Sequence, residues 1–350
     1  SVKCWGSNAN GVTGVGTGSG YTGDSSNEMG DNLPTIDLGS GRTVTQITSG
    51  SYHNCAILDD GSVKCWGSNA HGRTGIDNGT GSKGDEPNEM GDFLPTVDLG
   101  TGRTAIAISA GNMHTCAILD SGVLKCWGLN SNGQLGQEHS YNIGDGYSGS
   151  DDFQCHPTLN DPTDRECLAR MGDGLPGIDL GNNRTAISVS AGYTHTCAIL
   201  DNGSVKCWGF NGYGATGLGI TSLSSGDEDG EMGESLATVD LGEGRTAASI
   251  SSGNGHTCAL INDLQVACWG RNSEGQLGIG STEAVDSAEE LGASLQRADL
   301  PTTKSRSVAA GLYFTCAVID DGTVRCWGED NDGRLGVYRD LDGDGVGDDD

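Results

Sequence analysis

The sequence predicts an all-β propeller assembled from short, copied blades. Three observations carry this. First, the string Cys-Trp-Gly occurs six times, at Cys4-Trp5, Cys65-Trp66, Cys126-Trp127, Cys207-Trp208, Cys268-Trp269 and Cys326-Trp327, with gaps of 61, 61, 81, 61 and 58 residues. A period of that length means one supersecondary unit repeated along the chain. Second, glycine is abundant (60 residues) and proline scarce (7) in 350 residues, with no triplet period, which suits many short strands joined by tight turns. Third, each unit holds short apolar runs separated by aspartate–glycine turn signals. Three or four such strands per unit, repeated radially, make a propeller rather than a sandwich, in which neighbouring units bury one another's apolar faces.

Residues 97–136 show the unit in order. Val97-Asp98-Leu99-Gly100 and Gly102-Arg103-Thr104 lead into an alternating small and branched run, Ala105 to Ser109, that ends at Ala110-Gly111. His114 to Leu119 and Val123 to Gly128 then form a hairpin about Asp120-Ser121-Gly122. The copy Leu58-Asp59-Asp60-Gly61-Ser62 reads as a three-residue turn whose last position needs positive φ. If Leu58 opposes Ser62, Ile57 opposes Val63 and Cys55 opposes Cys65, with Cβ atoms about 4.5–5.5 Å apart, near what a disulfide bridges. After each Cys-Trp-Gly comes an N-x-x-G-x-x-G turn: Asn8 to Gly14, Asn69 to Gly75, Asn130 to Gly136, Asn211 to Gly217, Asn272 to Gly278 and, slightly shifted, Asn331 to Gly336. An acidic segment then leads to the next L-P-T-V-D-L-G string.

Thirteen cysteines indicate the compartment. The pairs Cys55/Cys65, Cys116/Cys126, Cys197/Cys207, Cys258/Cys268 and Cys316/Cys326 share one spacing, which reads as a disulfide framework of an oxidising, extracellular or cell-surface setting. The two-to-four-residue cysteine spacing of zinc knuckles is absent. Each bridge closes a short loop and stabilises by about 3 kcal/mol. Cys155 and Cys167 are expected to staple the long insert 137–171, and Cys4 is left unpaired or pairs between chains. The formal charge of -29 argues against nucleic acid and anionic membranes as partners. No apolar run approaches the roughly 20 residues of a membrane helix. No signal peptide opens the chain, which starts inside a repeat, so upstream sequence is expected.

Residues 53–72, HNCAILDDGSVKCWGSNAHG, resemble the repeat of the regulator of chromosome condensation (RCC1-like) family, through its G-x-x-H-T-x-A-L and G-x-V-x-x-W-G-x-N-x-x-G-Q-L-G pattern. The likeness spans nearly residues 1–336 and is greatest to secreted bacterial members with paired cysteines. It implies an RCC1-like β-propeller of six or seven four-stranded blades over 1–336, the first blade incomplete, followed by an acidic tail, 337–350. The basic chromatin surface of the nuclear member is missing, so nucleotide exchange and histone binding are not expected. A protein-binding face is what the family shares, and it includes a bacterial inhibitor of β-lactamases.

Candidate chemistry divides into repeated and unique residues. His53, His114, His195 and His256 stand two residues before the first cysteine of a pair, but the fifth copy has Phe314 there, so packing or hydrogen bonding is expected rather than metal or acid–base work. Trp66, Trp127, Trp208 and their equivalents are expected to pack between blades. Arg42, Arg103, Arg184 and Arg245 are expected to pair with the aspartate of V-D-L-G strings, such as Asp98 or Asp179, or with backbone carbonyls. In the tail, Asp340, Asp342, Asp344 and Asp348, interleaved with glycines, suit calcium. The acidic loops Asp24 to Asp31, Asp85 to Asp92 and Asp227 to Glu234 lack fixed ligand spacing and read as solvated. Asn78, Asn183 and Asn202 are N-x-S/T sites. No P-loop, G-x-S-x-G, H-E-x-x-H or dinucleotide fingerprint appears.

The expected function is therefore a non-catalytic extracellular module that binds a protein or cell-surface polymer through its loops, the insert 137–171 first among them, stabilised by disulfides and calcium. The alternative is a structural subunit that assembles with copies of itself into a filament or surface layer, completed by strand or Cys4 exchange. A third reading is an enzyme with its site at the propeller axis.

Overall fold

The computed structural model describes residues 1–16, 20–76, 81–144, 171–219, 223–301 and 304–336. Cys155, Cys167, most of the insert, Asn78 and the tail aspartates Asp340, Asp342, Asp344 and Asp348 lie outside the described residues. The chain divides into two compact units, residues 1–191 with 225–235, and residues 192–224 with 236–350.

The first unit opens with a two-stranded ribbon, β1 (Gly6–Ser7) and β2 (Tyr21–Thr22). Two three-stranded antiparallel sheets follow: β3 (Val44–Ser49), β4 (His53–Leu58) and β5 (Val63–Gly67), then β6 (Ala105–Ala110), β7 (His114–Leu119) and β8 (Leu124–Gly128). Strand β9 (Ala186–Ala191) completes the unit, and β6 packs between β3 and β9. The second unit begins with the hairpin β10 (His195–Leu200) and β11 (Val205–Gly209). Its two sheets are β12 (Ala247–Ser252), β13 (His256–Ile261) and β14 (Val266–Gly270), then β15 (Ser305–Ala310), β16 (Phe314–Ile319) and β17 (Val324–Gly328).

Local sequence sets each sheet. Leu58 N–H donates to Ser62 O at 2.9 Å, Gly61 sits at φ 78°, and Ile57 faces Val63, so the turn fixes the register. The first strand of each sheet carries a bulge, at Val44/Gln46, Ala105/Ala107, Ala247/Ser249 and Ser305/Ser307, which turns Thr45, Ile106, Ala248 and Arg306 out to solvent. Hydroxyls tie neighbouring first strands together within each unit. Thr48 accepts from Ala110 N at 3.0 Å, Ser109 from Ala191 N at 2.9 Å and Ser251 from Ala310 N at 2.9 Å.

The sheets have three regular strands where four were expected. The fourth edge is occupied by the L-P-T-V-D-L-G segment, held by isolated bonds: Val97 N to Val63 O, Ile178 N to Leu124 O and Val239 N to Val205 O, each 2.8 Å. Pro34, Pro95 and Pro176 in this segment have no N–H for a ladder, yet the copy with Ala237 in that place is no more regular. In the opening repeat Ile36 N donates to Val2 O at 2.9 Å in the same way. Among the described residues no helix is long and apolar enough to cross a membrane.

Candidate functional site

The paired cysteines face one another across each hairpin, and their sulfurs lie 2.00–2.11 Å apart at Cys55–Cys65, Cys116–Cys126, Cys197–Cys207, Cys258–Cys268 and Cys316–Cys326. Among the described residues Cys4 has no sulfur partner, and it lies half-buried against the cluster of Ile36, Leu38, Leu58 and Trp66. Burial pushes its pKa up, a setting that slows thiol exchange.

The repeated tryptophans are framework. Trp66, Trp127, Trp208 and Trp269 are fully buried. The indole N–H of Trp127 donates to Arg73 O (3.2 Å), that of Trp269 to Ala215 O (3.0 Å) and that of Trp327 to Gln276 O (2.9 Å). Each acceptor lies two residues before the last glycine of the preceding N-x-x-G-x-x-G turn. The same carbonyls accept from Thr115, Thr257 and Thr315 at 2.8–2.9 Å. In the first copy Val12 O accepts from Trp66 (3.0 Å) and from Asn54 (2.7 Å). The turn's own asparagine holds the loop shut: Asn69 Oδ1 accepts from Thr74 N at 3.0 Å and Asn272 Oδ1 from Leu277 N at 3.0 Å. Trp5 differs, with 63% of its surface exposed.

The histidines stitch one sheet to the next. Nε2 of His53 lies 2.8 Å from Thr115 Oγ1, that of His195 2.8 Å from Thr257 and that of His256 3.0 Å from Thr315. Each threonine gives its single proton to a carbonyl, so the histidine must donate from Nε2. Among the described residues the buried Nδ1 atoms of His53, His195 and His256 have no hydrogen-bond partner. Burial lowers the pKa of these three to about 3, about 4 and about 3, helped at His53 by Arg73 and His114 and at His256 by His195 and Arg271. They are neutral donors, unsuited to proton transfer near neutral pH.

Arg42, Arg103 and Arg245 meet carboxylates other than the V-D-L-G aspartates, and Arg245 also donates to a backbone carbonyl, Leu241 O at 3.4 Å, as the alternative expectation had it. Arg42 meets Asp59 (3.6 Å) and Asp60 (2.5 Å), Arg103 meets Asp120 (3.4 Å) and Arg245 meets Asp263 (3.9 Å), all on the hairpin turn of the same repeat. The V-D-L-G aspartates instead close Asx turns, Asp98 Oδ1 accepting from Gly100 N and Asp37 Oδ1 from Gly39 N at 2.9 Å. The acidic loops satisfy themselves. Glu28 Oε2 accepts from Gly23 N (2.8 Å), Glu89 from Gly84 N (3.0 Å) and Glu231 from Gly226 N (2.8 Å). The bonds from Gly23 and Ser25 lower the pKa of Glu28. Among the described residues no group of three His, Cys, Asp or Glu side chains is placed to hold a metal.

One cluster in the second unit departs from the repeat, and sequence reasoning missed it. Arg271, directly after Trp269-Gly270, lies between two tyrosines, its guanidinium carbon 4.7 Å from the Tyr313 ring centre and 5.4 Å from that of Tyr213. Phe210 meets Tyr213 edge-on at 6.0 Å. Asn254 Nδ2 donates to Tyr313 Oη at 2.8 Å. Tyr213 and Leu312 are 45% and 44% exposed. Two glycines make the room. A Cβ on Gly255 would lie 2.9 Å from Tyr213 Cδ2, and one on Gly212 would lie 2.3 Å from Phe210 Cζ. Other copies carry Tyr52, Met113, Thr194 or Tyr313 in place of Gly255, and Ala9, Ala70, Ser131 or Ser273 in place of Gly212. A column-by-column comparison of the repeats would have exposed this concentration of aromatic, arginine and glycine exceptions.

Comparisons with known proteins agree with this architecture. The family model described as RCC1-like domain matches residues 1–346. The ultraviolet-B receptor UVR8 of Arabidopsis thaliana is 26% identical over 302 residues, covering 86% of this chain and 57% of that protein. Protein pim1 of Schizosaccharomyces pombe is 28% identical over 341 residues, covering 84% of this chain and 60% of that protein. The chain thus spans well under two thirds of these relatives' length. Among solved structures, Prp20p from Saccharomyces cerevisiae superposes with a TM-score of 0.60 at 19% identity, over 85% of this chain and 61% of that one. Human WBSCR16 gives 0.62 at 18% identity, over 93% and 73%. These structures share the fold alone, all-β and of the RCC1-like propeller class. A family model matched over almost the whole sequence, on blades built from the same hairpin and turn, places the chain in the RCC1-like domain family.

Proposed function

We propose that the chain is a non-catalytic protein-binding module that works in an oxidising, extracellular setting. One observation carries this reading: the side chains repeated in register are locked in the framework, whereas large apolar residues that vary between copies, among them Tyr52, Phe93, Tyr213, Leu223 and Leu312, are exposed. Exposed aromatics on a rigid scaffold are the composition of a protein interface. Protein binding by relatives supports it: one solved structure is of yeast RCC1 bound by Kap60, and Prp20p is described with its binding to Gsp1p and histones. Those partners belong to those proteins. Five disulfides, four of them fully buried, support the compartment.

Calcium belongs to the same proposal, held by Asp340, Asp342, Asp344 and Asp348; isothermal titration of the chelator-treated chain is expected to show saturable calcium uptake that a variant with all four replaced by Asn lacks. The binding reading is tested by capture from the extracellular fraction of the source cells, with the oxidised chain against the reduced, unfolded chain. A partner retained only by the folded chain, and then reconstituted from purified components, supports it; no saturable partner contradicts it.

A further inference from the structure

We propose that Arg271, held between Tyr213 and Tyr313, is the receptor for a carboxylate side chain of a protein partner, whose adjoining apolar residue lands on Phe210 and Leu312. This rests on the protein-binding reading. The guanidinium carbon lies over both phenol rings, at 5.4 Å from the Tyr213 centre and 4.7 Å from that of Tyr313, and a guanidinium donates its hydrogen bonds in its own plane. One donor in that plane is used: Nε bonds Ser273 Oγ at 2.9 Å. The nearest carboxylate oxygen, Glu274 Oε1, stands 4.0 Å from Nη2, beyond hydrogen-bond reach, and accepts from Ser273 Oγ at 3.1 Å.

Arg42 and Arg334 bond carboxylates directly, Asp60 and Glu329 at 2.5 Å each, whereas Arg245 stands 3.9 Å from Asp263, much as Arg271 stands from Glu274. Among the described residues the terminal nitrogens of Arg271 make no hydrogen bond, which suits them to a carboxylate supplied from outside. The terminal nitrogens form the fork that a carboxylate fits with two parallel bonds. The surroundings supply the rest of an interface centre: arginine and tyrosine, with Phe210 edge-on to Tyr213 and exposed Leu312 next to Tyr313 in the chain. Gly212 and Gly255, glycine only in these copies, seat the aromatic rings.

The test titrates two N-acetylated, C-amidated tripeptides, Leu-Glu-Leu and Leu-Gln-Leu, into the whole oxidised chain and follows the ring resonances of Tyr213 and Tyr313. The glutamate peptide is expected to shift them saturably, and the glutamine peptide to bind at least about tenfold more weakly, since only a carboxylate makes the charge-assisted pair. Arg271→Gln should abolish the difference without lowering the melting temperature. If that variant melts early, Tyr213→Ala on the exposed rim should weaken the glutamate peptide alone. Equal binding of both peptides, or no saturable shift, overturns the site. A captured partner that binds the Arg271→Gln variant as well as the parent also overturns it, yet leaves the protein-binding reading standing; peptide binding with no captured partner does the reverse.

Discussion

The indole N–H of Trp127 donates to the carbonyl oxygen of Arg73, 3.2 Å away and 54 residues earlier in the chain. Thr115 donates to the same oxygen at 2.8 Å, so the turn of one repeat is clamped by the hairpin of the next. Trp127→Phe keeps most of the ring and loses one bond, and is expected to cost about 1–2 kcal/mol. Trp127→Ala is expected to cost about 3–5 kcal/mol, whereas exposed Trp5→Ala should stay within about 0.5 kcal/mol. Chemical denaturation midpoints of the three variants check the order.

The closing glycines of the turns make the clamp possible. A Cβ on Gly75 would lie 2.7 Å from Trp127 Nε1, and its φ is 67°; Gly102 has a φ of 68° with nothing near its Cβ position. Both alanine variants bear the left-handed strain of about 1–2 kcal/mol, but Gly75→Ala must also displace the tryptophan. Its loss of stability should exceed that of Gly102→Ala by at least about 1 kcal/mol. Equal losses would mean that the contact is loose.

Acid should unfold the protein earlier than its carboxylates alone require. His53, His195 and His256 have folded pKa values of about 3, about 4 and about 3, against about 6.5 unfolded. Above the unfolded value both states are neutral and the histidines contribute no pH dependence. As pH falls from about 6.5 towards 4, the unfolded chain takes up protons that the folded chain refuses, and stability falls. Asp92 and Asp173, held low by Ser40 and Thr101 respectively, lose their contribution only below about 4. His256→Phe, which copies Phe314 of the last sheet, should cost about 1 kcal/mol at neutral pH and flatten the slope between pH 6.5 and 4. An unchanged slope in urea melts across that range would show that His256 already titrates in the fold.

The ten paired sulfurs of the described hairpins, apart from those of Cys316–Cys326, belong to fully buried residues. Reductant should therefore leave those four bridges intact under native conditions and reduce them as fast as the chain unfolds. Cys55→Ser with Cys65→Ser should lower stability by about 3 kcal/mol. Thiol labelling at graded denaturant follows both effects, and rapid native-state reduction of all bridges would contradict the burial.

The sequence reveals those features that one turn or one spacing decides. Gly61 at positive φ fixes the hairpin, hence the facing of Cys55 and Cys65. Phe314 standing where other copies have histidine marks that column as packing. The partner of Arg103 is not legible, because Asp98 and Asp120 are equally near in sequence and only the hairpin's path brings Asp120 to 3.4 Å. The fourth strand is over-read for a similar reason: apolar alternation in L-P-T-V-D-L-G is local, whereas a ladder depends on the edge it meets, and single bonds such as Val97 N to Val63 O form instead. The Tyr213–Arg271–Tyr313 cluster joins residues from three successive copies, and no local pattern announces it.

The repeated tryptophans are structural staples and not a binding platform. Hydrogen exchange of the indole N–H groups, followed by NMR in the native chain, tests it most directly. Trp66, Trp127 and Trp269, bonded to Val12, Arg73 and Ala215 at 3.0–3.2 Å, should exchange only through unfolding, while exposed Trp5 exchanges at the free rate. Free-rate exchange at Trp66, Trp127 and Trp269 would contradict the account.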